Sequence, residues 1–129
     1  VSAIARGDER RTIDNVMTRL RSLIEETGVG MILVSHLRRV EGNRGHENGI
    51  SVSLSHLRGS QSIAQLSDCV IALERDQQAD DPQEANTTHM RVLKSRYTGD
   101  VGMATHLLYD RETGRLTETF PQDETEIEL

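Results

Sequence analysis

The chain has 129 residues, a formal net charge of −6, 21 acidic side chains against 15 Lys and Arg, and only Tyr97, Tyr109 and Phe120 as aromatics. That length fits one domain, able to bury about two-thirds of its unfolded surface. The charge excludes a whole-domain basic footprint for nucleic acid, so any such contact must be local, and the aromatic poverty implies an aliphatic core with no broad base-stacking platform.

Asp8 to Thr27 reads as a helix, because Ile13, Val16, Met17, Leu20, Leu23 and Ile24 recur at helical spacing. Asp8 fits an N-cap and Gly28 a C-terminal stop, while Glu25 and Glu26 oppose the helix dipole. Arg10, Arg11, Arg19 and Arg21 read as a solvated face. Met31 to Ser35 is apolar enough for a buried strand, with His36 and Leu37 following. Residues 38–49 carry Gly42, Gly45 and Gly49 without apolar periodicity and read as a loop. A short helix is expected over Gln61–Leu66 and a second buried strand over Cys69–Leu73. The single cysteine excludes an internal disulfide, and within that apolar run a buried structural thiol is expected.

Asp76–Thr87 is polar and reads as a loop. Met90–Lys94 and Ala104–Tyr109 read as strands, Tyr97–Asp100 and Arg111–Gly114 as turns, and a last strand falls near Leu116. After Phe120 the chain is acidic without a core pattern, which predicts a disordered tail. No signal peptide or membrane-length apolar run is present, which predicts a cytoplasmic chain with no membrane partner. Residue 1 is Val, and the chain reads as part of a longer polypeptide. The element order predicts an α/β fold with a mostly parallel sheet, an antiparallel hairpin extension and flanking helices.

Several residues bear chemistry, each with a plainer alternative. His36 at a strand tip can hydrogen-bond a phosphate oxygen, or be a half-buried histidine satisfied by a carbonyl. Arg38, Arg39, Asn43 and Arg44 can meet nucleic-acid phosphates, or form a solvated loop diluted by Glu41 and Glu47. Arg58-Gly59-Ser60 precedes a short helix whose backbone N–H groups favour an anion; Asp68 fits a cap or turn. Lys94 and Arg96 lie two residues apart and so share a strand face. They suit either an anion from elsewhere or a cation-protected edge strand. No phosphate-loop pattern, no apolar run ending in a metal-binding Asp, no Ser/His/Asp arrangement and no H-E-x-x-H pattern occurs, so no metal ligand is assigned within this chain.

Read in order, Gly7-Asp-Glu-Arg-Arg-Thr-Ile-Asp-Asn-Val-Met17, Val34-Ser-His-Leu37, Leu57-Arg-Gly-Ser60, Gln65-Leu-Ser-Asp68, Ile71-Ala-Leu-Glu-Arg-Asp-Gln-Gln78, Leu93-Lys-Ser-Arg-Tyr-Thr-Gly-Asp-Val-Gly102 and Tyr109-Asp-Arg-Glu-Thr-Gly114 form a more specific signal. This series resembles the C-terminal half of the helicase domain of phage-type primase-helicases. These belong to the hexameric, RecA-core replicative helicases, which include DnaB and the mitochondrial replicative helicase.

The resemblance implies that residues 1–119 are the C-terminal portion of a RecA-like P-loop NTPase motor and 120–129 an acidic tail. It implies hydrolysis of ATP or dTTP with Mg²⁺, whose ligands would lie mostly outside this chain, coupled to 5′–3′ movement on single-stranded DNA and duplex unwinding by a homo-hexamer. The isolated segment would then be inactive. By the same resemblance His36 senses the γ-phosphate, Arg96 is the arginine finger reaching the neighbouring subunit's nucleotide, and Lys94 accompanies it. Arg75 and Tyr109 sandwich the base, and Gln65 lies near the nucleotide. Arg38 and Arg44, with Arg39 and Asn43, line the DNA channel, and residues 1–7 match another channel loop. Two departures stand out. Ala64 occupies a position where related chains can carry arginine, and the tail, which in the family can recruit the replicative polymerase and end in an aromatic, here ends Glu126-Ile-Glu-Leu129. Alternatives are a RecA-type recombination ATPase and a non-enzymatic nucleic-acid-binding or assembly module.

Overall fold

The computed structural model describes residues 3–37, 51–57 and 61–120. Helix α1 spans Ala3–Thr27. It starts earlier than its apolar stripe, so Asp8 lies inside the helix rather than capping it, and its carbonyl accepts from Thr12 Oγ1. Ala3–Gly7, expected as a loop, form its opening turns. Met17 is buried, with Ile13, Leu20 and Ile24 half-buried beside it, as the helical spacing requires. Gly28 ends the helix at φ 70°, donating its N–H to the Ile24 carbonyl at 2.8 Å, the left-handed cap that glycine adopts without a Cβ penalty.

The sheet is a four-stranded meander in the order β1-β2-β3-β4, formed by β1 (Cys69–Glu74), β2 (Thr87–Ser95), β3 (Gly102–Tyr109) and β4 (Leu116–Thr119). Each described pairing is antiparallel, so the expected mostly parallel sheet is not confirmed among the described residues. The reason lies in the connections. Residues 96–101 and 110–115 are tight reversals through Gly99 (φ 74°) and Gly114 (φ 71°), and such short links join only antiparallel neighbours. Asp76–Thr87, expected as a plain loop, contains the one-turn helix α3 (Pro82–Ala85). Asp81 caps it, its Oδ1 accepting the Gln83 N–H at 3.0 Å, with Pro82 in the first turn where its missing donor costs nothing. The chain reverses there instead of crossing over.

Met31–Ser35 is not a strand. Ile32 and Val34 are 96% and 89% exposed. Apolar content alone does not make a parallel strand; it needs ladder partners and two covered faces. Among the described residues, an isolated antiparallel bridge joins Leu37 to Leu57. The expected short helix is present as α2 (Ser62–Leu66), packed against α1. Among the described residues the buried set is small: Met17, Val52, Ala72 and Thr87. Cys69, expected to be buried, is exposed, because it opens β1, which among the described residues has a strand, β2, on one side only. No helix among the described residues is long and apolar enough to cross a membrane.

Candidate functional site

The pairing of Cys69 with Ser95 decides what stands at one end of the sheet. Asp68 precedes one and Arg96 follows the other, so the register sets them side by side. Arg96 N–H donates to the Asp68 carbonyl at 2.8 Å. Its Nη1 donates to Asp68 Oδ1 at 2.8 Å and its Nη2 to the Gln65 carbonyl at 2.8 Å. Lys94 Nζ reaches the Ala64 carbonyl at 2.7 Å and the same Gln65 carbonyl at 3.2 Å. Both cations therefore rest on the last carbonyls of α2, and Gln65 takes part through its backbone. The register of β1 against β2 shifts between Val70 and Ile71, a bulge just ahead of Lys94. Bulges re-aim side chains and recur beside functional sites.

From the opposite side, Arg21 of α1 donates Nη1 to both Asp68 oxygens at 3.0 Å and Nε to Glu25 at 3.0 Å. These bonds, Glu25 foremost and then Asp68, raise the Arg21 pKa above its ordinary value. Arg21 is thus no member of a solvated face, whereas Arg10, Arg11 and Arg19 are exposed as expected. Glu25, unfavourable for the helix dipole, is offset by this i,i+4 pair.

The other end of β1 carries Arg75. A six-residue strand spans roughly 20 Å, so Arg75 and Arg96 lie about that far apart. The Arg75 guanidinium carbon stands 6.0 Å from the centroid of the Tyr109 ring. It is held by Nε to the Ala85 carbonyl at 2.6 Å and Nη2 to Asn86 Oδ1 at 3.1 Å. Asn86 organises this end: its Nδ2 donates to the Pro82 carbonyl, its own carbonyl accepts Tyr109 N–H, and Oδ1 also accepts Arg111 Nε at 3.2 Å. Beside Arg75 a cleft of about 290 Å³ is lined by Glu74, Asp76, Glu84, His89 and Arg91 among others. Arg91 pairs with Glu74 at 2.7 Å and His89 with Glu84 at 2.9 Å.

The structure thus brings Lys94, Arg96 and Gln65 together at one end and Arg75 with Tyr109 at the other. His36 is exposed and belongs to neither group. Arg38, Arg39, Asn43 and Arg44, the Arg58-Gly59-Ser60 start and residues 121–129 of the acidic tail lie outside the described residues. Sequence reasoning did not single out Arg21 or Asn86, nor the use of Asp68 as a counter-charge. Only the β1–β2 register reveals Asp68. Among the described residues no group of three or more His, Cys, Asp and Glu side chains could hold a metal ion.

The model of the DnaB-like helicase C-terminal domain family matches residues 2–118. The chain belongs to that family. It is also 47% identical over 116 residues to a DNA helicase/primase of Enterobacteria phage T3, covering 90% of this chain and 20% of that relative. The chain thus spans about one fifth of that relative's length. With family membership given, the sheet-end arginine and the Arg–Tyr pair become candidates for a nucleotide-handling apparatus.

Proposed function

We propose that this segment works within a ring-forming replicative DNA helicase, coupling NTP hydrolysis to 5′–3′ movement on single-stranded DNA and duplex unwinding. The observation that carries the reading is the Arg75–Tyr109 pair, 6.0 Å apart. A base stacked on both sides needs about 7 Å, two van der Waals thicknesses, so a small opening admits one. The neighbouring cleft is lined by Glu74, Asp76 and Glu84 together with Arg75, His89 and Arg91, and the Arg91–Glu74 and His89–Glu84 pairs leave no dense positive field there to draw in a phosphate. Stacking between an aromatic ring and a guanidinium holds any base.

Arg96 then serves a different nucleotide. It lies roughly 20 Å from the base clamp along β1, with its guanidinium partly exposed, so it is open to a nucleotide held by another subunit. An arginine presented to the adjoining subunit would stabilise charge on the transferring phosphoryl group there, with Lys94 beside it and His36 reporting the γ-phosphate. Such trans contacts require a heterologous interface, and one whose rotation closes gives a ring, which fits a homo-hexamer. Mg²⁺ bound with ATP or dTTP would neutralise phosphate charge; the described residues offer it no cluster, so its ligands would come from elsewhere in the polypeptide. Arg38, Arg39, Asn43 and Arg44 would meet DNA phosphates in the channel, and the acidic tail would be available to a polymerase.

The test is fork unwinding by the full-length polypeptide with NTP. Unwinding that depends on hydrolysis and on a free 5′ strand supports the helicase. Strand exchange between homologous duplexes without fork unwinding would replace it with a recombination ATPase, and DNA binding without hydrolysis with a non-enzymatic module.

A further inference from the structure

We propose that Asp68 is a positioning residue for the Arg96 guanidinium; the proposal rests on the reading of Arg96 as the arginine that acts on the neighbouring subunit's nucleotide. Asp68 grips Arg96 at two points, its carbonyl on the backbone N–H and its Oδ1 on the side-chain Nη1, each at 2.8 Å. An arginine stem held only at its backbone samples many orientations. One fixed at its head as well presents its planar fork in a single direction.

The donor count leaves room for an external anion. A guanidinium has five N–H donors. Asp68 Oδ1 takes one from Nη1 and the Gln65 carbonyl one from Nη2, so three remain for phosphoryl oxygens, which accept such forks in pairs. The Arg96 side chain is 39% exposed and that of Asp68 33%, so the open edge of the fork can be reached from outside the chain.

The charges give Asp68 a second task. Lys94 Nζ and Arg96 Nη2 share the Gln65 carbonyl, and Arg21 closes on Asp68 from α1. Three cations gather around the Asp68 carboxylate and the Gln65 carbonyl, with Glu25 also on Arg21 and the Ala64 carbonyl also on Lys94. Without the carboxylate, Lys94 would repel Arg96 from the carbonyl they share, and the fork would turn away from its set direction.

The experiment measures DNA-stimulated NTP hydrolysis by the full-length oligomer carrying Asp68→Ala, Asp68→Asn, Arg21→Met, Arg96→Ala or Asp68→Ala with Arg96→Ala, each checked for assembly by size. Asp68→Ala should lower kcat on the order of 10- to 100-fold, the cost of a group misplaced by about an ångström, with KM little changed. Asp68→Asn keeps an acceptor for Nη1 and should recover part of that loss. Arg21→Met removes the α1 contact but leaves the Asp68–Arg96 pair, so its loss of kcat should be smaller than that of Asp68→Ala. In the Arg96→Ala background, Asp68→Ala should add nothing. A loss for Asp68→Ala no larger than for Arg21→Met, or a further loss beyond Arg96→Ala, would overturn the proposal. Parent-level turnover in Arg96→Ala would instead remove the finger reading beneath it, so the two failures are distinguishable.

Discussion

The two ends of β1 both hold an arginine in place, by opposite means. Arg96 is gripped by a carboxylate and shares a carbonyl with a second cation. Arg75 is gripped by a carbonyl and an amide oxygen, neutral acceptors, and faces the ring of Tyr109. The first arrangement balances a dense positive cluster and leaves donors for an anion. The second fixes a flat cation at a spacing from a flat ring. What differs is the counter-group, and on the proposed function that difference matches two tasks: charge at one end, planar stacking at the other.

The comparison is sharpest under substitution. Arg96→Ala should abolish hydrolysis in the full-length oligomer, by about 10³- to 10⁵-fold if it acts as trans-acting arginines do in GTPases, while nucleotide binding measured at equilibrium persists. Tyr109→Ala should act the other way, raising KM by about 5- to 150-fold, the equivalent of one lost base stack, with kcat nearly kept. If both variants changed the same kinetic parameter, the contrast between the ends would collapse.

A smaller effect concerns the β3–β4 turn that follows Tyr109. Backbone N–H groups of Glu112 and Thr113 donate to Asp110 Oδ1. The Glu112 bond first, then those from Thr113, hold the Asp110 carboxyl below its ordinary range. A lowered folded pKa stabilises the fold above the unfolded value, and that stability is lost as pH falls through the lowered one. Asp110→Ala should therefore reduce Tm at neutral pH, and the deficit should shrink on acidification below about pH 4. A Tm difference independent of pH would show that this carboxylate does not support the turn.

Much of the fold was legible because it depends on local pattern. The stripe of Ile13, Met17, Leu20 and Ile24 defined α1, and the turn residues around Gly99 and Gly114 delimited the later strands and their closing hairpin. What failed depended on distant partners. Met31–Ser35 has the composition of a buried strand, but only neighbouring strands could make it one. Cys69 sits in an apolar run, yet β1, with a described neighbouring strand on one side only, leaves it open. Of the candidate site, Arg75 with Tyr109 and Lys94 with Arg96 were named from resemblance to a family. Asp68 and Asn86 were not, because their importance follows from register and from side-chain acceptors shared between elements, which no spacing along the chain encodes.

The central claim is that the two ends of β1 serve nucleotides of different subunits. Mixing Arg96→Ala subunits with Tyr109→Ala subunits and measuring hydrolysis at nucleotide well below the Tyr109→Ala KM tests it most directly. In such oligomers some interfaces join an intact Tyr109 clamp to an intact Arg96 from next door. The mixture should therefore hydrolyse faster than either variant alone and faster than their average. If both residues act on the same subunit's nucleotide, no intact site forms, and activity at or below the average would contradict the account.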